Sequence, residues 1–196
     1  MKFDRYVDLI LEAVNQKYLV LLPGGFKSPT LGHYSLIKSY SENPDVAKVV
    51  VLVGPKEREG ITREHSLKTF ELYGVNKFPK VTVEASKSDN PMQAAFDYLV
   101  DRDHGSDKKL IFGVGASNKG GDEERSFKFA NYFSNHPDKL PEGIKVGIPP
   151  IIPAAQFGDT DISATTLRQA IKTKDVALIR KLIPPGVDVK KFLAIF

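Results

Sequence analysis

Two short stretches of the chain carry residue types suited to handling phosphate. The first runs Pro23-Gly24-Gly25-Phe26-Lys27-Ser28-Pro29-Thr30-Leu31-Gly32-His33. Gly24, Gly25 and Gly32 let a backbone approach a ligand closely, and exposed N–H groups at a following helix start can cradle phosphate. Thr30 and His33 stand three residues apart, so both side chains can address one phosphoryl group. A histidine there can donate to oxygens whose charge grows in a transition state. The second stretch is Asp161-Ile162-Ser163-Ala164-Thr165-Thr166-Leu167-Arg168. Ser163 and Thr165 fall where a starting helix would leave N–H groups and hydroxyls for phosphate oxygens. Arg168, a turn further in, offers a guanidinium fork for a terminal phosphate. Each stretch also has a plain reading, with Thr30 or Ser163 as a helix cap and His33 or Arg168 as an exposed helix residue.

The elements that must position these residues read as short apolar runs alternating with amphipathic segments. Strands are predicted at Tyr18–Leu22, Lys48–Val53, Val81–Glu84, Lys109–Val114 and Ile144–Ile148. Near-continuous apolar runs of this kind suit strands buried on both faces. Asn90-Pro91 supplies a cap and a first-turn proline for a helix with a Met92, Ala95, Phe96, Leu99, Val100 stripe, ending at Gly105. Thr62 is expected to cap a helix carrying Leu67, Phe70 and Tyr73 and ending at Gly74. Asp122 is expected to open one burying Phe129, Tyr132 and Phe133. Further helices are expected after His33 and Ser163, and an opening helix over roughly Phe3 to Val14. The alternation implies a doubly wound, Rossmann-like parallel five-stranded sheet with helices on both faces. Ligands of such sheets bind beyond the carboxyl ends of the strands, where strand order reverses. Both chemistry-bearing stretches follow predicted strands.

Bulk properties narrow the function classes. The 196 residues fit one domain, with an N-terminal helix over 1–16 and a C-terminal extension over 175–196. The chain has no cysteine, which removes disulfides and thiolate metal sites. No apolar run is long enough to span a bilayer and no signal-peptide core precedes Tyr18, so a cytoplasmic protein without membrane partners is expected. The net charge of +4 is spread along the chain rather than massed, which argues against a nucleic-acid footprint and suits a small anionic substrate. His65, His104 and His136 lack metal spacing and are expected to cap or lie at the surface; Asp159 and Asp161 are expected to serve loop or cap duty.

Taken together, the two stretches resemble the motifs of the nucleotidylyltransferase superfamily, which carries G-x-F-x-P-x-[HT]-x-G-H after its first strand and I-S-x-T-x-x-R near its end. Gly25-Phe26 fall on the opening pair, Thr30, Gly32 and His33 on the [HT]-x-G-H element, and Ile162, Ser163, Thr165 and Arg168 on the second motif. The loop departs from the usual Phe-Asp-Pro, running Phe26-Lys27-Ser28-Pro29; Lys27 either adds a positive charge near the phosphates or, the favoured reading, is solvated.

The resemblance implies direct in-line attack by an acceptor phosphate on the α-phosphorus of a nucleoside triphosphate, releasing pyrophosphate. Thr30 and His33 would address the α- and β-phosphates, and Ser163, Thr165 and Arg168 the departing pyrophosphate. Magnesium would ride on the triphosphate, with no metal site of protein side chains. A basic residue after the second strand would be Arg58 or Lys56, either of which also suits an ordinary loop charge. The loop from Gly115 to Asp122 would shape the nucleoside or acceptor pocket. Threonine at position 30 and the retained Arg168 look more like adenylyl-transferring members. The implied partners are therefore ATP and a phosphorylated acceptor. The alternatives are CTP with a phosphorylated alcohol, a nucleotide-binding module without turnover, and a small RNA-binding relative. Asp175–Phe196 is expected either to pack back on the sheet or to form a homo-oligomer contact.

Overall fold

The computed structural model describes residues 16–118, 121–155 and 162–196. Five strands form one sheet: β1 (Tyr18–Gly24), β2 (Val46–Val53), β3 (Val81–Ala85), β4 (Ile111–Val114) and β5 (Lys145–Val146). Their order is β3-β2-β1-β4-β5 and every pairing is parallel. Parallel pairing forces each connection to cross over a face, and α1 (Leu31–Glu42), α2 (Arg63–Leu72), α3 (Pro91–Val100) and α4 (Asp122–Asn135) lie in the four crossovers, while α5 (Ala164–Thr173), α6 (Val176–Leu182) and α7 (Val189–Leu193) follow β5.

The period-two alternation of β1 shows how both faces are sealed. Val20 and Leu22 join one core cluster with Ile37 and Tyr40 of α1, Phe70 of α2 and Leu167 of α5. Leu19 and Leu21 join the other, with Ala95 and Leu99 of α3 and Phe129 of α4. The C-terminal stretch packs back into the first cluster through Ile179, Leu182, Ile183 and Phe192, and the Phe192 ring stacks on Tyr73 at 6.2 Å.

The predicted caps form. Asn90 Oδ1 accepts from the N–H groups of Met92 and Gln93, Thr62 Oγ1 from that of His65, and Ser163 Oγ from that of Thr166. His104 sits buried on the Leu99 carbonyl and His136 closes α4. Several expectations need correction. α3 ends at Val100, before Gly105, and Val100 itself is exposed, as is Tyr132. Lys109 closes a 3-10 turn instead of opening β4. β5 shrinks to two residues because Gly147, Pro149 and Pro150 follow, and prolines have no N–H to donate. The expected opening helix, together with Lys119, Gly120, Asp159 and Asp161, lies outside the described residues. Among the described residues no helix is long and apolar enough to cross a membrane.

The path after β5 fits only because β4 has a glycine beneath it. A Cβ on Gly113 would lie 2.5 Å from the Gly147 carbonyl oxygen and 2.6 Å from Pro149 Cδ, atoms with little freedom to move. Gly113→Ala is therefore expected to cost about 1–3 kcal/mol through overpacking. Urea unfolding would check this, and an unchanged midpoint would contradict it.

Candidate active site

Strand order reverses between β1 and β4, and the loops beyond their carboxyl ends face each other there. The β1–α1 loop folds tightly. Phe26 and Ser28 adopt left-handed backbone, at φ 49° and 64°, a conformation that side-chain-bearing residues take only at a cost. The Phe26 ring lies over Gly24, where an added Cβ would meet its Cε2 at 2.9 Å, and its edge contacts His33 and Phe70. At Gly25 an added Cβ would meet nothing within 4 Å, so packing leaves this stretch of backbone uncovered.

Thr30 is the N-cap of α1. Its backbone N–H donates to His33 Nδ1 at 3.0 Å, and its Oγ1 lies 3.0 Å from the same nitrogen. With Nδ1 an acceptor, the neutral imidazole carries its proton on Nε2, on the other side of the ring. His33 also lines three clefts. The first, of about 320 Å³, includes Thr30, Gly32, Ser117, Asp122, Ile152 and Ser163. A second, of about 350 Å³ at the β1–β4 switch point, includes Gly24, Gly25, Phe26, Gly115, Ser117 and Arg125. A third, of about 540 Å³, includes Gly25, Lys27, Lys56, Arg58, Asp89 and Arg168.

The two sequence stretches meet. Arg168 is 2% exposed and donates from Nη1 to the Lys27 carbonyl at 3.3 Å, across 141 residues of sequence. Its Nη2 donates to Thr165 Oγ1 at 3.0 Å, and its Nε to Glu59 Oε1 at 2.8 Å. Ile162 comes within 3.8 Å of where a Cβ on Gly32 would stand. Ser163 caps α5 and also lines the first cleft. Thr165 lines none of the three clefts and instead orients Arg168.

Lys27 contradicts the expectation of solvation. It is 6% exposed, and its Nζ donates to the Gly54 carbonyl at 2.8 Å, at the carboxyl end of β2. Burial first, and then the charge of Arg63, pull its pKa below 10.5, while Glu64 and Asp89 oppose that. Arg58 and Lys56 are both exposed on the rim of the third cleft. Glu59 is a residue that sequence reasoning missed. Hydrogen bonds from Lys172 and then Arg168 hold its carboxyl down at about 2. The group stays charged above that pH, so this bridge is intact throughout the neutral range and is lost only as pH falls through about 2.

Tyr40 ties the loop after β4 to the segment after β5. Its hydroxyl accepts from the Ala116 N–H at 2.9 Å and donates to the Pro150 carbonyl at 2.8 Å. Ser117 and Ile152 bridge in parallel just beyond, and Asn118 Oδ1 accepts from Ala154 N–H at 2.7 Å. The β4–α4 loop and the segment after β5 thus form one wall. Burial raises the Tyr40 hydroxyl to about 12 from 10.0. The unfolded chain then ionises first, so stability falls as pH climbs from 10.0 to about 12, by at most about 3 kcal/mol. Tyr40→Phe is expected to cost about 1–3 kcal/mol at neutral pH, by stranding two backbone groups, and to flatten that alkaline decline. Denaturation at neutral pH and at pH near 11 reads both effects. An unaltered alkaline slope would refute the second.

A parallel sheet with a glycine loop and a histidine at its switch point, and a buried arginine against the β2 side of that loop, places its clefts where open α/β sheets bind ligands. Solved structures share the fold. The Plasmodium falciparum nicotinic acid mononucleotide adenylyltransferase, complexed with APC and with NaAD, aligns with TM-scores of 0.50 and 0.53. Both alignments have 15% identity over 92% of this chain and 94% of that one. A bifunctional NMN adenylyltransferase/ADP ribose pyrophosphatase from Francisella tularensis, complexed with AMP and a Mn ion, aligns with a TM-score of 0.56. There the identity is 15%, and the match covers 91% of this chain and 48% of that one. No protein-family model matches the sequence, and no curated protein sequence matches it.

Proposed function

We propose that this chain is a cytoplasmic nucleotidylyltransferase that transfers AMP from ATP to a phosphorylated acceptor and releases pyrophosphate. The observation that carries this reading is the position of His33 at the junction of three clefts, one of which ends on Arg168. A triphosphate laid across that junction would put its α-phosphorus beside the His33 ring and its terminal phosphates toward Arg168. The acceptor phosphate attacks the α-phosphorus, the bond to the β-phosphate oxygen breaks, and pyrophosphate leaves. His33 Nε2–H would donate to α- and β-oxygens as their charge grows. Thr30 fixes the ring, while Gly24, Gly25, Phe26 and Gly32 present backbone to the phosphates. Ser163 borders the nucleoside cleft, and Thr165 sets the Arg168 fork. Lys27, Lys56 and Arg58 add positive charge near the approaching phosphates.

Ile152, Ala154 and Ile162 give the first cleft an apolar side fit for a base, with Ser117 as a polar partner. Among the described residues no group of three or more His, Asp or Glu side chains is placed to hold a metal ion. Magnesium would arrive on the triphosphate and neutralise its charge, with Glu57, Asp89 and Asp122 the carboxylates bordering the clefts among the described residues. The fold neighbours are named for nicotinic acid mononucleotide and NMN, so pyridine mononucleotides are the first acceptors to test.

The test is pyrophosphate release with magnesium, crossing ATP and CTP against these mononucleotides, phosphopantetheine and phosphorylated alcohols. ATP- and acceptor-dependent release is expected. Release with CTP alone would overturn the adenylyl assignment, and tight ATP binding without release from any pair would make the chain a non-catalytic nucleotide-binding module.

A further inference from the structure

Glu59 stands outside both phosphate-binding stretches, in the β2–α2 loop, yet its carboxylate meets the arginine that closes the second stretch. Its Oε1 accepts from Arg168 Nε and its Oε2 from Lys172 Nζ, at 2.8 Å each. Arg168 and Lys172 are four residues apart on α5, so they share a helix face and one carboxylate can bridge both. Arg58 Nε, 4.0 Å from the same Oε1, is too far for a hydrogen bond. Glu59 keeps this post against its local preference. With Gly60 it forms the centre of a two-residue turn closed by reciprocal Arg58–Ile61 backbone bonds of 3.1 and 3.0 Å. Both central residues have positive φ, 55° and 79°, which favours Asn, Asp or Gly at the first place.

The partners of Arg168 come from three parts of the chain. Nε is held by Glu59, Nη1 by the Lys27 carbonyl of the β1–α1 loop, and Nη2 by Thr165 on its own helix. A guanidinium carries five N–H donors in one rigid plane, so three bonds to separate anchors fix the direction of the remaining two. Arg168 is 2% exposed and borders the third cleft beside Gly25, Lys56 and Arg58. An arginine that is free in the empty site loses rotamer freedom when it binds an anion, whereas one already held loses little. A carboxylate alone on Arg168 would cancel the charge that an anion needs. Lys172, half exposed, offsets part of that, since the cluster sets one carboxylate against two cations.

We infer that Glu59 is a positioning residue of the transfer site, which holds the Arg168 guanidinium ready for the terminal phosphates before they arrive. The inference rests on the transferase reading for the reaction that this arrangement serves. The prearranged guanidinium itself is tested with inorganic pyrophosphate, whether or not the chain turns over. Because the contact to the terminal phosphates is made in ground state and transition state alike, its loss falls on KM and leaves kcat little changed.

Glu59→Gly removes the carboxylate and leaves a Gly-Gly pair that the turn's backbone favours, so the loop is expected to keep its shape. Calorimetry with magnesium pyrophosphate and steady-state kinetics with ATP, on the full chain, read the result. Glu59→Gly is expected to weaken pyrophosphate binding and to raise KM for ATP, each by about tenfold, the ordering cost of one long side chain. Glu59→Gln keeps an oxygen for Arg168 Nε and is expected to retain most of the affinity. A carboxylate that merely masked the Arg168 charge would give the opposite sign, with both variants binding pyrophosphate more tightly. Added to Arg168→Ala, Glu59→Gly is expected to change affinity no further, because its effect runs through the guanidinium. A native chain that binds no pyrophosphate, unchanged or tighter binding in Glu59→Gly, or an undiminished further loss in the Arg168→Ala background would each overturn the inference. If the pyrophosphate affinities follow this pattern while no substrate pair releases pyrophosphate, the role of Glu59 stands and the transferase reading fails.

Discussion

Replacing His33 with alanine is expected to lower kcat by about 10²–10³ with little change in ATP affinity, which is what removing one donor aimed at developing charge costs in comparable sites. On the proposed reaction the ground-state triphosphate would keep its backbone contacts with the β1–α1 loop, so the loss would fall on the transition state and leave KM nearly alone. The substitution also frees the Thr30 N–H from Nδ1, 3.0 Å away. Loss of that half of the cap is expected to cost about 0.5–2 kcal/mol, too little to unfold a chain of this size. Steady-state kinetics beside urea unfolding separate the two effects. A kcat within a few-fold of the native value would remove His33 from the chemistry and with it the main support for the proposed reaction.

Arg168→Ala should act on both binding and folding. Its fork would meet the terminal phosphates, and charge-assisted bonds of that kind are worth about 1.5–3 kcal/mol each, so kcat/KM is expected to fall by about 10²-fold. The Lys27 carbonyl, 3.3 Å from Nη1, loses its donor in a buried place, and stability is expected to drop by about 1–3 kcal/mol. Arg168→Lys discriminates charge from shape. A lysine keeps the charge but not the planar fork that reaches Lys27, Thr165 and Glu59 together, so it should recover only part of either loss. Full recovery by lysine would mean that the charge alone matters and that the arrangement around the guanidinium is incidental.

Much of this architecture is written locally. β1 and β2 are legible because runs such as Leu19–Leu22 and Val49–Val53 are apolar at every position, as burial on both faces demands. The caps at Thr62, Asn90 and Ser163 are legible for the same reason of locality, since each bonds within three residues of itself. That His33 and Arg168 line one cleft is legible only as two motifs that a doubly wound sheet must bring to one end. What escapes a sequence reading depends on distant partners. Lys27 is buried because the Gly54 carbonyl at the end of β2 accepts from it, 27 positions away. Glu59 matters because α5 brings Arg168 and Lys172 to it across more than a hundred residues. Val100 and Tyr132 fit their helical stripes by type, yet they fall at the margins of the covered area, where periodicity alone does not fix exposure.

The brevity of β5 bears on how copies of this chain can meet. An edge strand with a long free row of N–H and C=O groups is a template on which another chain can extend the sheet. Here the outermost strand on the β4 side is two residues long, and the chain then runs through Gly147, Pro149 and Pro150. The prolines offer no donors to an incoming strand, and Tyr40 already holds the Pro150 carbonyl. That margin of the sheet thus offers little to strand addition, which disfavours fibre-like growth and edge-to-edge pairing on the side where the β4–α4 loop meets the segment after β5.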